Sequence, residues 1–216
     1  MDHINNIFDN LDSWRNLPAY QLERRADIFF SIYLADILFH HFSVSIDGLI
    51  PEFPVRVGTI YENADNKSFK IDYLARVKDS NRLFFVELKT DQSSRRDTQD
   101  QYLERARLVG FAELLEGLRK IYRATASKKK YMYLLEKLQD LGFLHLDQSG
   151  AFEIIPALYE IEIVYIQPND PYGLDNVITF AEVAEIVERH GDAVSQRFAR
   201  SLVLWANQKA GEKLSC

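Results

Sequence analysis

Cysteine is almost missing from this chain. Its one occurrence, Cys216, is the final residue, so no disulfide framework and no cysteine-based zinc site can be drawn, and redox chemistry is not expected. Long apolar runs are missing too: no window reaches the roughly 18 continuous apolar residues of a membrane span. The N-terminus "MDHINNIFDN" lacks the basic, apolar, small-residue order of a signal peptide, which makes a cytoplasmic location the expectation. No glycine-rich phosphate loop and no G-x-S-x-G turn occurs, so P-loop nucleotide hydrolysis and an α/β-hydrolase nucleophile are set aside. Positive charge is in deficit: the formal net charge of −6 gives no global pull toward nucleic acid, and any such binding must use a local patch. Repeats and low-complexity segments are not seen.

The 216 residues are 47% hydrophobic and 12% aromatic, enough for a sizeable core in one domain spanning the chain. Apolar positions at helical spacing mark a first helix over 19–42, behind Pro18 as a first-turn residue. His40 and His41 fall at its end, where histidine suits the negative pole of the dipole, and no other histidine has metal-ligand spacing. After Gly48 and Pro51, read as breakers, β-branched and aromatic runs predict strands over 54–62, 68–79 and 82–91, the last two joined by a turn at Asp79-Ser80-Asn81. A long helix is predicted over 97–124 with Asp97 or Thr98 as N-cap, then a helix over 128–142, a hairpin around Ser149-Gly150, a strand over 159–168 and a helical tail over about 179–209.

The stretch "FKIDYLARVKDSNRLFFVELKTD", residues 69–91, places three ionisable groups inside runs built for burial. Along the third strand Glu87 and Lys89 share a face with Phe85, while Val86 and Leu88 point to the other. Both faces are apolar apart from this pair, as in a central strand covered on both sides, where an unpaired charge costs several kcal/mol. Two hairpin registers are open. A loop at Ser80-Asn81 sets Asp72 opposite Lys89; a loop one residue earlier, closing Lys78 with Asn81, sets Asp72 opposite Glu87. In either register Asp72, Glu87 and Lys89 converge on one face. Two carboxylates beside an ammonium suit a hard divalent cation, to which the Leu88 carbonyl can add a ligand. The plainer reading of an acid-x-lysine triplet is a charge pair on a solvent face, and the apolar residues on both sides argue against it.

The order helix, three strands, helix, strand over about residues 19–167, with Ile71-Asp72 followed after 14 residues by Glu87-Leu88-Lys89, resembles the PD-(D/E)XK nuclease superfamily. Ile71 stands where the motif's nominal proline would be. The resemblance implies an α/β, restriction-endonuclease-like core: a central mixed sheet with a three-strand antiparallel meander, flanked by helices on both faces. It would carry a helix-hairpin insert at about 125–156 and a helical extension at about 177–210. The implied activity is Mg²⁺-dependent (or Mn²⁺-dependent) hydrolysis of phosphodiester bonds in DNA, as an endonuclease. Asp72 and Glu87 would bind the metal with the Leu88 carbonyl, and Lys89 would hold the attacking water or the developing charge. Relatives often add a metal-holding glutamate from the first helix; Glu23 matches best and Asp27, one turn on, second. A glutamine at the start of the following helix corresponds to Gln99, near Gln101 and Tyr102.

For phosphate contacts the candidates are Arg95 and Arg96 directly after the third strand, Arg105 and Arg107 on the next helix, and Lys128, Lys129 and Lys130 opening the inserted one. The segment 131–155 resembles the last helix and wing of a winged-helix module, although a small packing insert is the preferred reading. Glu160 and Glu162 share a strand face and are read as the solvent side of an edge strand. The expected partner is therefore nucleic acid, DNA first, with no membrane and with a homodimer left open. The alternative is a catalytically inactive nuclease-like fold serving as a binding module, since fold does not fix function.

Overall fold

In the computed structural model, which describes residues 2–63, 65–91 and 97–207, the chain is an α/β protein with a five-stranded mixed sheet. The elements in chain order are α1 (His3–Trp14), α2 (Leu22–Phe42), β1 (Ile46–Arg56), α3 (Val57–Ile60), β2 (Ser68–Val77), β3 (Arg82–Leu88), α4 (Asp97–Val109), α5 (Phe111–Ala124) and α6 (Lys128–Asp140). There follow β4 (Leu144–Leu146), β5 (Phe152–Ile154), β6 (Glu160–Gln167), β7 (Val177–Thr179), α7 (Phe180–Glu188) and α8 (Ala193–Asn207). The large sheet has the order β1-β2-β3-β6-β7, and β4 pairs with β5 alone. β1 with β2 and β2 with β3 are antiparallel, whereas β6 and β7 are parallel. Bonds from Glu160 N to Asn81 O and from Lys89 N to Ile166 O, each 2.8 Å, advance together along both strands, so β6 runs parallel to β3. No described helix is long and apolar enough to cross a membrane.

Several boundaries differ from the sequence expectation, each for a local reason. The first strand is Ile46–Arg56 rather than 54–62, and α3 occupies most of the remainder. Pro51 lies inside β1 because it is the edge strand, where a missing N–H costs no ladder bond, and Gly48 sits at the register shift near the start of the strand. Helix α2 starts at Leu22, not beside Pro18, because Ala19 has a positive φ of 60°. The long helix of 97–124 breaks at Gly110, whose φ of 86° and ψ of 154° no helix accommodates. Asp97 and Thr98 lie within the first turn of α4 rather than capping it, and Asp97 and Asp100 there suit the positive end of the dipole. Helix α1 had no sequence forecast, and Val177–Thr179, expected as the start of the helical extension, is instead strand β7, with α7 beginning at Phe180. α1 is capped by Asp2, whose Oδ1 accepts from Ile4 N at 3.0 Å, but its buried residues are only Phe8 and Leu11.

The chain divides into two compact units. One comprises Met1–Ser45, Leu88–Arg96 and Val164–Cys216. Its core centres on Phe198 of α8, whose ring lies 5.1 Å from Phe30, 5.7 Å from Phe29, 6.0 Å from Phe8 and 6.2 Å from Trp205. α1 is tied to α8 by Arg197, which donates to Asp9 Oδ1 at 2.6 Å and Asp12 Oδ2 at 2.7 Å, and by Trp205 Nε1 to Asp12 Oδ1 at 2.8 Å. The other unit comprises Ile46–Glu87 and Asp97–Ile163. Its core includes Phe53, Phe111, Phe143 and Tyr159, with Phe111 4.7 Å from Phe143 and 5.4 Å from Tyr159. A Cβ at Gly117 would meet Thr59 Oγ1 at 2.4 Å, so glycine there is what lets α5 approach α3.

Within the first unit, α2 is locked to α7 by His41. Its Nδ1 lies 2.6 Å from Glu182 Oε1 and its Nε2 2.9 Å from the Asp175 carbonyl. Both partners are acceptors, so the doubly protonated imidazolium satisfies them best. Burial alone would lower the imidazole's proton affinity, but the Asp175 carbonyl and the Glu182 carboxylate outweigh it and hold the pKa above the ordinary histidine value. A raised folded-state pKa gives stabilisation that is complete below the unfolded value and is lost as pH climbs through the folded one. His41→Gln should therefore cost roughly 1 kcal/mol at pH below the ordinary histidine value and progressively less as pH rises above it, read by urea unfolding over a pH series. A cost independent of pH would show that the imidazolium is not the stabilising form.

Candidate functional site

Strand β3 is the middle member of the large sheet, and Leu83, Phe84, Phe85 and Val86 are fully buried on its alternating faces. Into this strand the sequence sets Glu87, only 1% exposed, and directly after it Lys89, 3% exposed. Among the described residues these are the one buried carboxylate and the one buried lysine. Desolvation of either ion costs several kcal/mol unless charged or hydrogen-bonding groups surround it.

The hairpin between β2 and β3 resolves the register. Tyr73 pairs with Val86, Leu74 with Phe85 and Ala75 with Phe84, so the ladder carried one residue further sets Asp72 opposite Glu87. The loop is Asp79-Ser80, with Asp79 at a φ of 52°, a conformation aspartate tolerates better than most side chains. The alternative pairing of Asp72 with Lys89 does not occur. Directly opposed side chains lie on one face with Cβ atoms about 5 Å apart, so the two carboxylates belong to the same side of the sheet. Asp72 is half-buried. On its other flank, between the pairs Pro51–Tyr73 and Phe53–Ile71, lies Glu52 of β1, with a positive φ of 54°. The exposed Glu52 carboxylate binds Lys70 Nζ at 2.9 Å. Glu87 in turn accepts a hydrogen bond from Gln99 Nε2, on the first turn of α4. The glutamine suggested by the helix start thus touches the buried carboxylate, a contact that no spacing in the sequence specified.

Lys89 belongs, with Leu88 and Glu23, to the other unit. Its backbone N–H continues the ladder to Ile166 O, and its ammonium donates to the Leu88 carbonyl at 3.0 Å and lies 3.9 Å from Glu23 Oε2. Glu23, about one-third exposed on the first turn of α2, is therefore the lysine's counter-ion in this conformation. Asp27, one turn on, is half-buried and its Oδ1 accepts from Ile28 N at 2.7 Å. Among the described residues no three His, Cys, Asp or Glu side chains gather as a metal-ligand group. Asp72 and Glu87 remain the two carboxylates that the register brings to one side of the sheet.

Other sequence candidates take different places. Arg95 and Arg96 lie outside the described residues. Arg105 stacks over the Tyr61 ring at 4.6 Å, and Arg107 Nε donates to Glu104 Oε2 at 3.0 Å. Tyr102 stacks 5.2 Å from Phe69, and Gln101 is exposed. The Lys128 ammonium donates to the carbonyls of Tyr122 and Arg123 at the end of α5, whereas Lys129 and Lys130 are exposed. β6 is not an edge strand in the sheet order, but β7 pairs only with Tyr165–Gln167 and leaves Glu160 and Glu162 beyond that ladder. Glu162 Oε2 accepts from Arg82 at 2.7 Å, which makes it a structural ion pair rather than a rival carboxylate site.

No family model matches this chain, and neither a curated protein nor a solved structure does.

If Gln99 holds the Glu87 carboxylate, the two should be energetically coupled. In a double-mutant cycle with Glu87→Gln and Gln99→Leu, each measured by urea unfolding, a coupling of about 1 kcal/mol or more is expected, because loss of a donor to a buried charged acceptor is costly. A coupling indistinguishable from zero would remove Gln99 from the site.

Proposed function

We propose that this chain is a metal-dependent nuclease of the PD-(D/E)XK type, built on a restriction-endonuclease-like core, that hydrolyses phosphodiester bonds of DNA. One observation carries the reading: among the described residues, the only buried carboxylate and the only buried lysine are two residues apart at the end of the central strand, with Asp72 in register opposite the carboxylate. A structural role would be served as well by apolar side chains there, and at lower desolvation cost. The sheet order, with β1, β2 and β3 antiparallel and β6 parallel to β3, is consistent with that core.

The donor set fits Mg²⁺ or Mn²⁺ and not a nitrogen- or sulfur-preferring ion: both side chains are carboxylates, and Mg²⁺ needs only one or two of these because it retains water. Asp72, Glu87 and the Leu88 carbonyl would hold it. When bound, the cation supplies a water of lowered pKa and neutralises charge on the scissile phosphate. Gln99 orients the Glu87 carboxylate through its amide. Lys89, two residues along the strand and held by Glu23 and the Leu88 carbonyl, orients the attacking water or stabilises the phosphorane-like charge. Glu23 acts as a positioning residue for that ammonium rather than as a required ligand.

Lys89→Ala should lower single-turnover cleavage of DNA by about 10²-fold, the scale of one preorganised electrostatic group, while DNA affinity measured in Ca²⁺ falls little. Asp72→Asn should abolish Mg²⁺ binding, read by calorimetry, and with it Mg²⁺-supported cleavage. Cleavage left intact by Lys89→Ala would overturn the lysine's role. Absence of cleavage by the parent in Mg²⁺ and Mn²⁺, with DNA binding retained, would favour the non-catalytic binding module instead.

A further inference from the structure

The acidic total of the chain hides a local reversal. Between Arg119 and Lys137 the sequence carries seven basic residues against one acidic residue, Glu136, a formal +6 within a chain whose total is −6. This stretch covers the last turns of α5 and most of α6, both in the unit of Ile46–Glu87 and Asp97–Ile163. It adjoins a cleft of about 660 Å³ between the end of α5 and the β4–β5 hairpin. One wall is Arg119, Tyr122 and Arg123; the other is the hairpin from His145 to Glu153.

The groups around this cleft sort into those committed to the fold and those that are not engaged by it. Arg119 is held by both oxygens of Glu116, at 2.6 and 2.7 Å, and donates to the Phe152 carbonyl at 2.9 Å, so it braces the two walls. Lys128 caps the carbonyls of Tyr122 and Arg123. Asp147 turns the hairpin, its Oδ1 accepting from Ser149 N at 2.8 Å, Ser149 Oγ at 2.7 Å and Ala151 N at 2.9 Å. Glu153 stands opposite His145 in the hairpin ladder. Arg123, His145, Lys120, Lys129 and Lys130 are exposed, with Tyr133, 57% exposed, one turn beyond Lys130.

Their placement is unfavourable for the chain alone. Lys129 and Lys130 sit in the first turn of α6, which has no acidic residue and no side-chain cap, so they lie against the positive end of its dipole. A polyanion reverses the sign of that interaction. An exposed tyrosine among lysines adds a stacking surface, and the cleft has the size of an ordinary ligand site.

We propose that this cleft, walled in part by Arg123, together with Lys129 and Lys130 in the neighbouring first turn of α6, binds the sugar–phosphate backbone of a nucleic acid. The surface needs no metal and involves neither Asp72, Glu87 nor Lys89, so it stands apart from the cleavage reading and is tested without turnover.

The test is binding of a fluorescent DNA duplex, and of the single strand of equal length, to the full chain in EDTA over a salt titration. The triple reversal Arg123→Glu, Lys129→Glu, Lys130→Glu changes only exposed side chains, and circular dichroism verifies its fold. Affinity for at least one of the two DNA forms should fall by tenfold or more, and the slope of log affinity against log salt should flatten by about 2 to 3, as expected for that many lost phosphate contacts. Arg123→Ala alone should flatten it by about 1. Unchanged affinity and slope in the triple variant would overturn the proposal. So would competition by polyglutamate as effective as by DNA at equal charge, which would make the patch a docking surface for acidic protein. Loss of cleavage with this DNA binding intact would count against the nuclease reading alone.

Discussion

The desolvation of two opposite charges at the end of β3 is the constraint to which the surrounding structure answers. Glu87 and Lys89 are almost inaccessible to solvent, next to a run of four fully buried apolar residues. Neither ion would be stable there without polar neighbours. The surrounding elements supply them: α4 begins with Gln99 against Glu87, α2 begins with Glu23 near Lys89, and the Leu88 carbonyl takes the lysine's proton-bearing end. Each of these groups sits at the end of an element, where polar atoms reach inward without burying a helix face. Apolar side chains in place of the charged pair would give a more stable strand, so the charged pair costs the strand stability.

Backbone irregularities fix where the second carboxylate falls. A left-handed Asp79 places the two-residue β2–β3 loop at Asp79-Ser80, the register that opposes Asp72 to Glu87. Moving the turn one residue on would shift the pairing by two positions and set Asp72 opposite Lys89, changing a carboxylate pair to a carboxylate–amine pair. On the outer side, β1 carries Pro51 and the positive φ of Glu52 beside Asp72 without a change of register, which an edge strand can absorb.

Charge is distributed unevenly along the chain, and the structure sorts it by task. Ion pairs such as Arg197 with Asp9 and Asp12, and Arg82 with Glu162, join elements that are far apart in sequence. Lys128 closes the end of α5, and Arg107 pairs along its own helix with Glu104. The basic stretch ending at Lys137 retains cations on the surface after these local uses, so net charge alone is a poor guide to what this chain can bind.

Sequence by itself determined the alternation of helices and strands, the placement of Asp72 and Glu87-Leu88-Lys89 on adjacent strands, and the burial of the third strand, because these follow from periodicity and local apolar content. It also reached Gln99 and Glu23 as neighbours of interest, though not what they touch. Tertiary structure alone decided the rest. The β1 boundary depended on β1 being an edge strand, where proline is tolerated; the break at Gly110 is a non-helical backbone conformation that the helical spacing on either side of it does not reveal. The hairpin register depended on which of two turns the packed sheet selects. Helix α1 depended on partners nearly the whole chain away, Arg197 and Trp205, whose bonds to Asp9 and Asp12 no local pattern encodes. Periodicity reports which face of an element is apolar; only the assembled chain decides which polar group meets which, since that requires contacts between residues distant in sequence.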